Sequence, residues 1–110
     1  MKVAYKIWLD NDGKAFGRGP VELLKRVETT KSLNKAASQM GMSYSKAWRI
    51  IGTMEKRLGF VLLERTTGGL AGGGSKVTPQ ARDLMQRYEQ FEKDTEAAIA
   101  QIYQVHFGNL

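Results

Sequence analysis

Ser45, Arg49, Gly52, Thr53 and Lys56 recur at the three- and four-residue steps that bring side chains to one face of an α-helix. Lys46 and Arg57 lie on one flank of that face, and Tyr44, Trp48 and Glu55 on the other. Hydroxyls and cations presented together supply hydrogen-bond donors and positive charge, the chemistry that meets phosphate oxygens and the acceptor edges of bases. Ala47, Ile50, Ile51, Met54 and Leu58 fall on the opposite side, as an apolar stripe turned to a core. Catalytic chemistry is hardly represented. His106 is the single histidine and sits in the tail, and there are no cysteines, so neither a His-based dyad nor a thiolate metal site forms within one chain. The expectation is a protein that is not an enzyme and carries no metal or cofactor.

Elements that would position this face are legible on either side of it. Ser32 and Ser43 are N-cap residues for helices over about 33–40 and 44–58, and Gly59 marks the end of the second. Gly41 stands at the bend between them. Ala36, Met40, Met42, Ala47 and Ile50 fall where the two helices must pack, and Ala37 supplies the small side chain that permits a close crossing. Two helices, a bend glycine and a small crossing residue describe a helix-turn-helix, an arrangement that commonly lays its second helix in the DNA major groove. In that placement Ser43, Tyr44, Ser45 and Lys46 lie near base edges, and Arg49 either reads a guanine or grips the backbone. Lys56 and Arg57, further along, are phosphate contacts or solvated surface. Lys35, on the first helix of the pair, joins the DNA-binding candidates. For Tyr44 and Trp48 the competing role is packing, against the preceding helix or the strands. Gly52 inside a helix costs about 1 kcal/mol relative to Ala, which a close approach of phosphate or a neighbouring helix would explain.

The remaining chain frames this pair. Residues 3–9 are β-prone, Asn11-Asp12-Gly13 is a hairpin turn signal, and a second strand is expected over 14–18. Pro20 suits the first position of a helix ending near Thr30, with Glu22 in its first turn and Leu23, Leu24 and Val27 buried. A strand is expected over 60–65, a glycine-rich loop over 67–75 and a returning strand over 76–78. Arg65 and Lys76 then stand as cations at the base of a wing. A nucleotide-binding reading of the loop fails, because Gly74-Ser75-Lys76 leads into a strand and not a helix. Thr78 caps and Pro79 opens a last helix of about 25 residues. Its residues Ala81, Leu84, Tyr88, Phe91, Thr95, Ala98, Ile102 and Val105 alternate three- and four-residue steps, the pattern of a partner-facing seam. Leu84, Tyr88, Phe91, Ala98 and Ile102 are the dimerisation candidates, and the acidic exterior of this helix reads as a solvated face. The fold class is therefore mainly α with small β: a winged helix-turn-helix over 1–78, with an N-terminal β-hairpin, and a long C-terminal dimerisation helix over 79–110.

Composition agrees with one ordinary globular domain of 110 residues. The net charge of +6 is concentrated: residues 31–78 carry eight cations and two carboxylates, whereas residues 79–110 carry three and five. A polyanion partner, double-stranded DNA, is the natural reading. RNA ranks lower, since aromatic side chains are not interleaved with the basic ones. A protein-interaction module with a solvated basic face is the rival class. No apolar run reaches the roughly 18 residues of a membrane span, and no signal-like stretch opens the chain, so no membrane partner and a cytoplasmic location are expected.

Ser43-Tyr44, Ala47-Trp48, Met54-Glu55, Leu58-Gly59, Leu63-Glu64-Arg65, Gly68-Gly69, Gly72-Gly73-Gly74 and Val77-Thr78 together resemble the DNA-binding domain of the molybdate-responsive ModE regulators, related more distantly to the LysR type. The resemblance implies a homodimeric transcription regulator whose Ser43–Arg49 segment reads an inverted-repeat operator and whose Arg65–Lys76 wing supports it. Molybdate-sensing members carry a C-terminal oxyanion-binding module, for which these 110 residues leave no room. Molybdate binding is accordingly not expected of this polypeptide alone. Three alternatives stay open: regulation without a ligand, a separate sensing partner, or a chain that is a fragment.

Overall fold

A computed structural model describes residues 1–66 and 74–110. In chain order the elements are β1 (Trp8–Asp10), β2 (Lys14–Gly17), α1 (Arg18–Thr30), α2 (Leu33–Gln39), α3 (Tyr44–Leu58), β3 (Leu63–Thr66), β4 (Gly74–Val77) and α4 (Pro79–Phe107). The strands form two separate antiparallel pairs, β1 with β2 and β3 with β4. Among the described residues no helix is long and apolar enough to cross a membrane.

One core serves all of them. Phe16 on β2, Val21, Leu24 and Val27 on α1, Leu33 and Ala36 on α2, Ile51 on α3, and Leu62 before β3 are all completely enclosed. From α4 only the first three turns take part: Ala81, Met85 and Tyr88 are buried. Burying aliphatic and aromatic side chains of this size contributes roughly 1.5–3 kcal/mol each before conformational entropy is counted.

Several boundaries differ from those expected. The first strand is confined to Trp8–Asp10, because residues 1–7 have no strand partner and Tyr88 Oη instead donates to the Ile7 carbonyl at 2.7 Å. Helix α1 begins at Arg18, placing Pro20 third and leaving no carboxylate in the first turn. Proline is tolerated there because the first amides of a helix have no intrahelical acceptor. β3 begins at Leu63 and not Phe60, since the Glu55 carboxylate accepts the amides of Leu62 (2.7 Å) and Leu63 (3.3 Å) and Thr78 takes the carbonyls of Val61 and Leu62. Those groups are spent before a ladder can start. The returning strand is Gly74–Val77, with Leu63 opposite Val77 and Glu64 opposite Lys76. The expected loop falls mostly on residues 67–73, which lie outside the described residues.

Helix α4 starts as read, with the Thr78 hydroxyl accepting the Ala81 amide at 3.1 Å and Pro79 first, and continues for 29 residues. Its acidic exterior is not simply solvated. Glu89 pairs with Lys25 and Glu92 with Arg18, both at 2.6 Å, while Arg82 reaches Glu28 at 2.9 Å. These partly exposed pairs fix α4 along α1 more than they stabilise the whole.

Tyr88 links helix, hairpin and N-terminal segment. Its ring meets Phe16 edge-on at 5.6 Å, and burial first, then the Glu92 carboxylate, pushes its hydroxyl pKa up, with Arg18 opposing. A phenol whose folded pKa lies above its unfolded value contributes stability that is complete below the unfolded pKa and is lost as pH rises through the folded one. Tyr88→Phe should cost about 0.5–1.5 kcal/mol in urea unfolding at neutral pH. The wild type should lose part of that advantage above about pH 10. An advantage that stays constant through the alkaline range would contradict the assignment.

Candidate nucleic-acid interface

The α2–α3 pair is held by backbone and small side chains. The Ser32 and Ser43 hydroxyls accept the Lys35 and Lys46 amides at 3.1 Å, capping both helices. The Ala37 carbonyl accepts the amides of both Met40 and Met42 at 3.0 Å, which closes the bend around Gly41. Gly41 has φ of +69°, a backbone conformation that disfavours side chains, although a Cβ there would meet nothing. Ala36, Ala37 and Ala47 have no exposed surface, and their small side chains permit a close crossing. Met40, Met42 and Ile50 are half-buried around the crossing.

That crossing turns the opposite side of α3 outward. Ser43, Tyr44, Ser45, Lys46, Arg49, Gly52, Thr53 and Lys56 are all exposed, as are Lys35 on α2 and Lys76 on β4. Among the described residues none of Lys35, Lys46, Arg49 or Lys56 enters an ion pair; the five pairs present all involve α1 or α4. The first turn of α3 holds no carboxylate, so its amide end keeps its positive character toward an approaching phosphate. A Cβ on Gly52 would meet nothing within 4 Å. A tight helix contact inside the chain therefore does not account for this glycine.

Five side chains take roles that the sequence left open or obscured. Trp48 is half-buried, with Tyr44 edge-on at 6.1 Å and the Arg65 guanidinium 4.6 Å from its ring centroid. Arg65 is thus drawn onto α3 as a clamp between helix and β3, in place of a cation standing free at the wing base. Lys76 has Glu64 opposite it across the strands, which offsets its charge. Arg57 is turned away from the face: its Nη1 donates to the Lys14 carbonyl at 2.8 Å, and Asn11 Nδ2 donates to the Arg57 carbonyl at 2.7 Å. Glu55 braces the start of β3 by accepting the Leu62 and Leu63 amides, a role that leaves no periodic signal in the sequence.

With this geometry, the matches to known proteins can be placed on the fold. Residues 20–82, from α1 into the first turn of α4, match the bacterial regulatory helix-turn-helix proteins of the LysR family. The chain belongs to this family. It is also similar to the transcriptional regulator ModE of Haemophilus influenzae, 41% identical over 79 residues that make up 72% of this chain and 31% of that protein. The dual regulator ModE of Escherichia coli K12 is 34% identical over 90 residues, 82% of this chain and 31% of that protein. The chain thus spans about a third of the length of these curated relatives. In fold it resembles the BenM DNA-binding domain crystallised with its benA site 1 DNA, at a TM-score of 0.54 and 22% identity, covering 81% of this chain and 94% of that one.

In this LysR-family chain the expected seam on α4 divides in two. Tyr88 is committed to the protomer's own core and Leu84 is half-buried against it, so Tyr88 is withdrawn from the dimerisation set. Beyond them Phe91 is 43%, Ile102 59% and Val105 77% exposed, and Ala98 is open too. The core ends three turns into α4, and beyond it N-terminal residues Met1, Val3 and Tyr5 share a groove with Glu96, Ile99 and Tyr103.

Removing the Trp48–Arg65 contact tests the clamp. In a Trp8→Phe background, Arg65→Ala should alter Trp48 emission and cost about 0.5–1 kcal/mol in unfolding. Unchanged emission would place the guanidinium elsewhere in solution.

Proposed function

We propose that this protein is a cytoplasmic, sequence-specific regulator of transcription that binds double-stranded DNA as a homodimer. The observation that supports this best is the α3 face. Hydroxyls at Ser43 and Ser45 and cations at Lys46, Arg49 and Lys56 stand open together, without carboxylate partners among the described residues, on a helix whose other side is packed. The similar proteins, transcriptional regulators and a domain in complex with DNA, agree with it.

In this reading the N-terminal turn of α3 enters the major groove, with Ser43, Tyr44, Ser45 and Lys46 beside base edges. Arg49 is one turn further along and presents a planar fork to guanine or phosphate. Lys35 and Lys56 reach the backbone on either side, and Lys76 approaches it from the wing. Arg65 acts through Trp48, holding β3 against α3. The distal stripe of α4, Phe91, Ala98 and Ile102, meets its copy on a second protomer, since a partly exposed apolar stripe on a helix that has left its own core is covered by an equivalent stripe. Two recognition helices about 34 Å apart then demand an inverted-repeat site.

Selection of bound duplexes from a random library should return such a repeat. Arg49→Ala should weaken binding to it by about tenfold or more without loss of fold. Binding should also fall steeply with salt, and Lys56→Ala should lower the logarithmic salt slope by about one. Retardation that is absent at low salt would favour a protein-interaction module instead. Ile102→Asp should sediment as a monomer and lose the inverted-repeat preference, and a dimer surviving that change would refute the distal seam.

A further inference from the structure

Beside the recognition face, β2, α1, the α2–α3 bend and the adjoining edge of α3 line a half-open cavity of about 430 Å³, within the range of small-molecule sites. Its wall is apolar. Leu23 and Met54 are buried there, and Met40, Met42 and Ile50 are half-buried around them. Methionine is unbranched and polarisable, so such a wall adapts to an apolar guest.

The mouth is cationic, lined by Lys14, Arg49 and Arg57, and no carboxylate lines the cavity. The Arg57 guanidinium is held in place there by its 2.8 Å bond to the Lys14 carbonyl. Gly13 gives it room, since a Cβ at that position would stand 2.5 Å from the guanidinium carbon. Among the described residues Arg57 enters no ion pair. A guanidinium has five N–H donors, so a positioned cation with donors to spare faces an apolar cavity.

We infer that this cavity binds an amphipathic organic anion, a carboxylate carried on an aliphatic body. The chain packs on the half-buried Met40, Met42 and Ile50, over Leu23 and Met54 beneath them, and the carboxylate meets Arg57 at the mouth. An apolar hollow alone would select uncharged guests, and a surface cation alone would select phosphate. Their juxtaposition selects a molecule with both parts. Arg49 lines the mouth as well as the DNA face, so a ligand seated beside it obstructs a guanidinium offered to DNA, and the two compete. The competition rests on the DNA-binding reading, but the binding site does not.

Decanoate, kept below its micelle concentration, is the probe, and the methionine methyl resonances of the full chain are the readout. Met40, Met42 and Met54 should shift saturably, while Met1 and Met85 should not. Arg57→Gln should weaken decanoate by about tenfold. Because Arg57 also anchors the hairpin, Thr53→Trp provides a second variant: it fills the mouth from an exposed position and should abolish the shifts. No shift, or equal shifts at all five methyls, would overturn the site. Decanol binding as well as decanoate would overturn the carboxylate assignment. Shifts of the same three methyls on raising protein concentration alone would give the cavity to a second copy of the chain and overturn the proposal. Where the protein retards duplex DNA, decanoate should release it; a duplex that stays bound while the methyls shift would overturn the competition alone.

Discussion

Ala36, Ala37 and Ala47 are fully buried where α2 and α3 pack, and the outward face of α3 follows from that packing. Helix α3 sits on the core with Ala47, Ile51 and Met54 inward. Its remaining face is then outward by exclusion. A larger side chain at any of the three alanine positions would pry the helices apart, since a packed interior has no spare volume to absorb it. The bend at Gly41 and the two serine caps supply the backbone hydrogen bonds that this short connection would otherwise leave unsatisfied.

Charge is partitioned by the same packing. Carboxylates of α4 face cations of α1 and are consumed there, through Glu89 with Lys25 and Glu92 with Arg18. The cations of α3 have no such neighbour among the described residues. Unpaired cations among the described residues are therefore densest at the α3 face, although Lys2, Lys6, Lys31 and Lys93 carry charge elsewhere on the surface. A polyanion would meet an attractive field at the α3 side and a nearly neutralised one along the α1–α4 side.

Helix α4 joins two regimes along one rod. Its first three turns are part of the core and carry Tyr88 against Phe16. The turns beyond have left the core; N-terminal residues Met1, Val3 and Tyr5 share a groove with Glu96 and Gln104, yet Phe91, Ile102 and Val105 remain exposed. A heptad-like pattern does not mark where one regime yields to the other, because apolar residues at three- and four-residue steps satisfy an intramolecular core and a partner helix equally.

The sequence by itself determined whatever depends on near neighbours in the chain: both serine caps, the bend glycine, Thr78-Pro79 at the start of α4, and the two faces of α3. Periodicity and capping are local physics, decided within a turn or two of each residue. Only the tertiary structure decided the fate of Arg57, Arg65, Glu55 and Tyr88, whose partners stand 43 positions away at Lys14, 17 at Trp48, seven at Leu62 and 81 at Ile7. A cation or carboxylate looks alike in sequence whether it is bound for solvent, a carbonyl or an aromatic ring. What distinguishes these outcomes is which backbone group or ring the fold brings within reach, and that is a property of the assembled core.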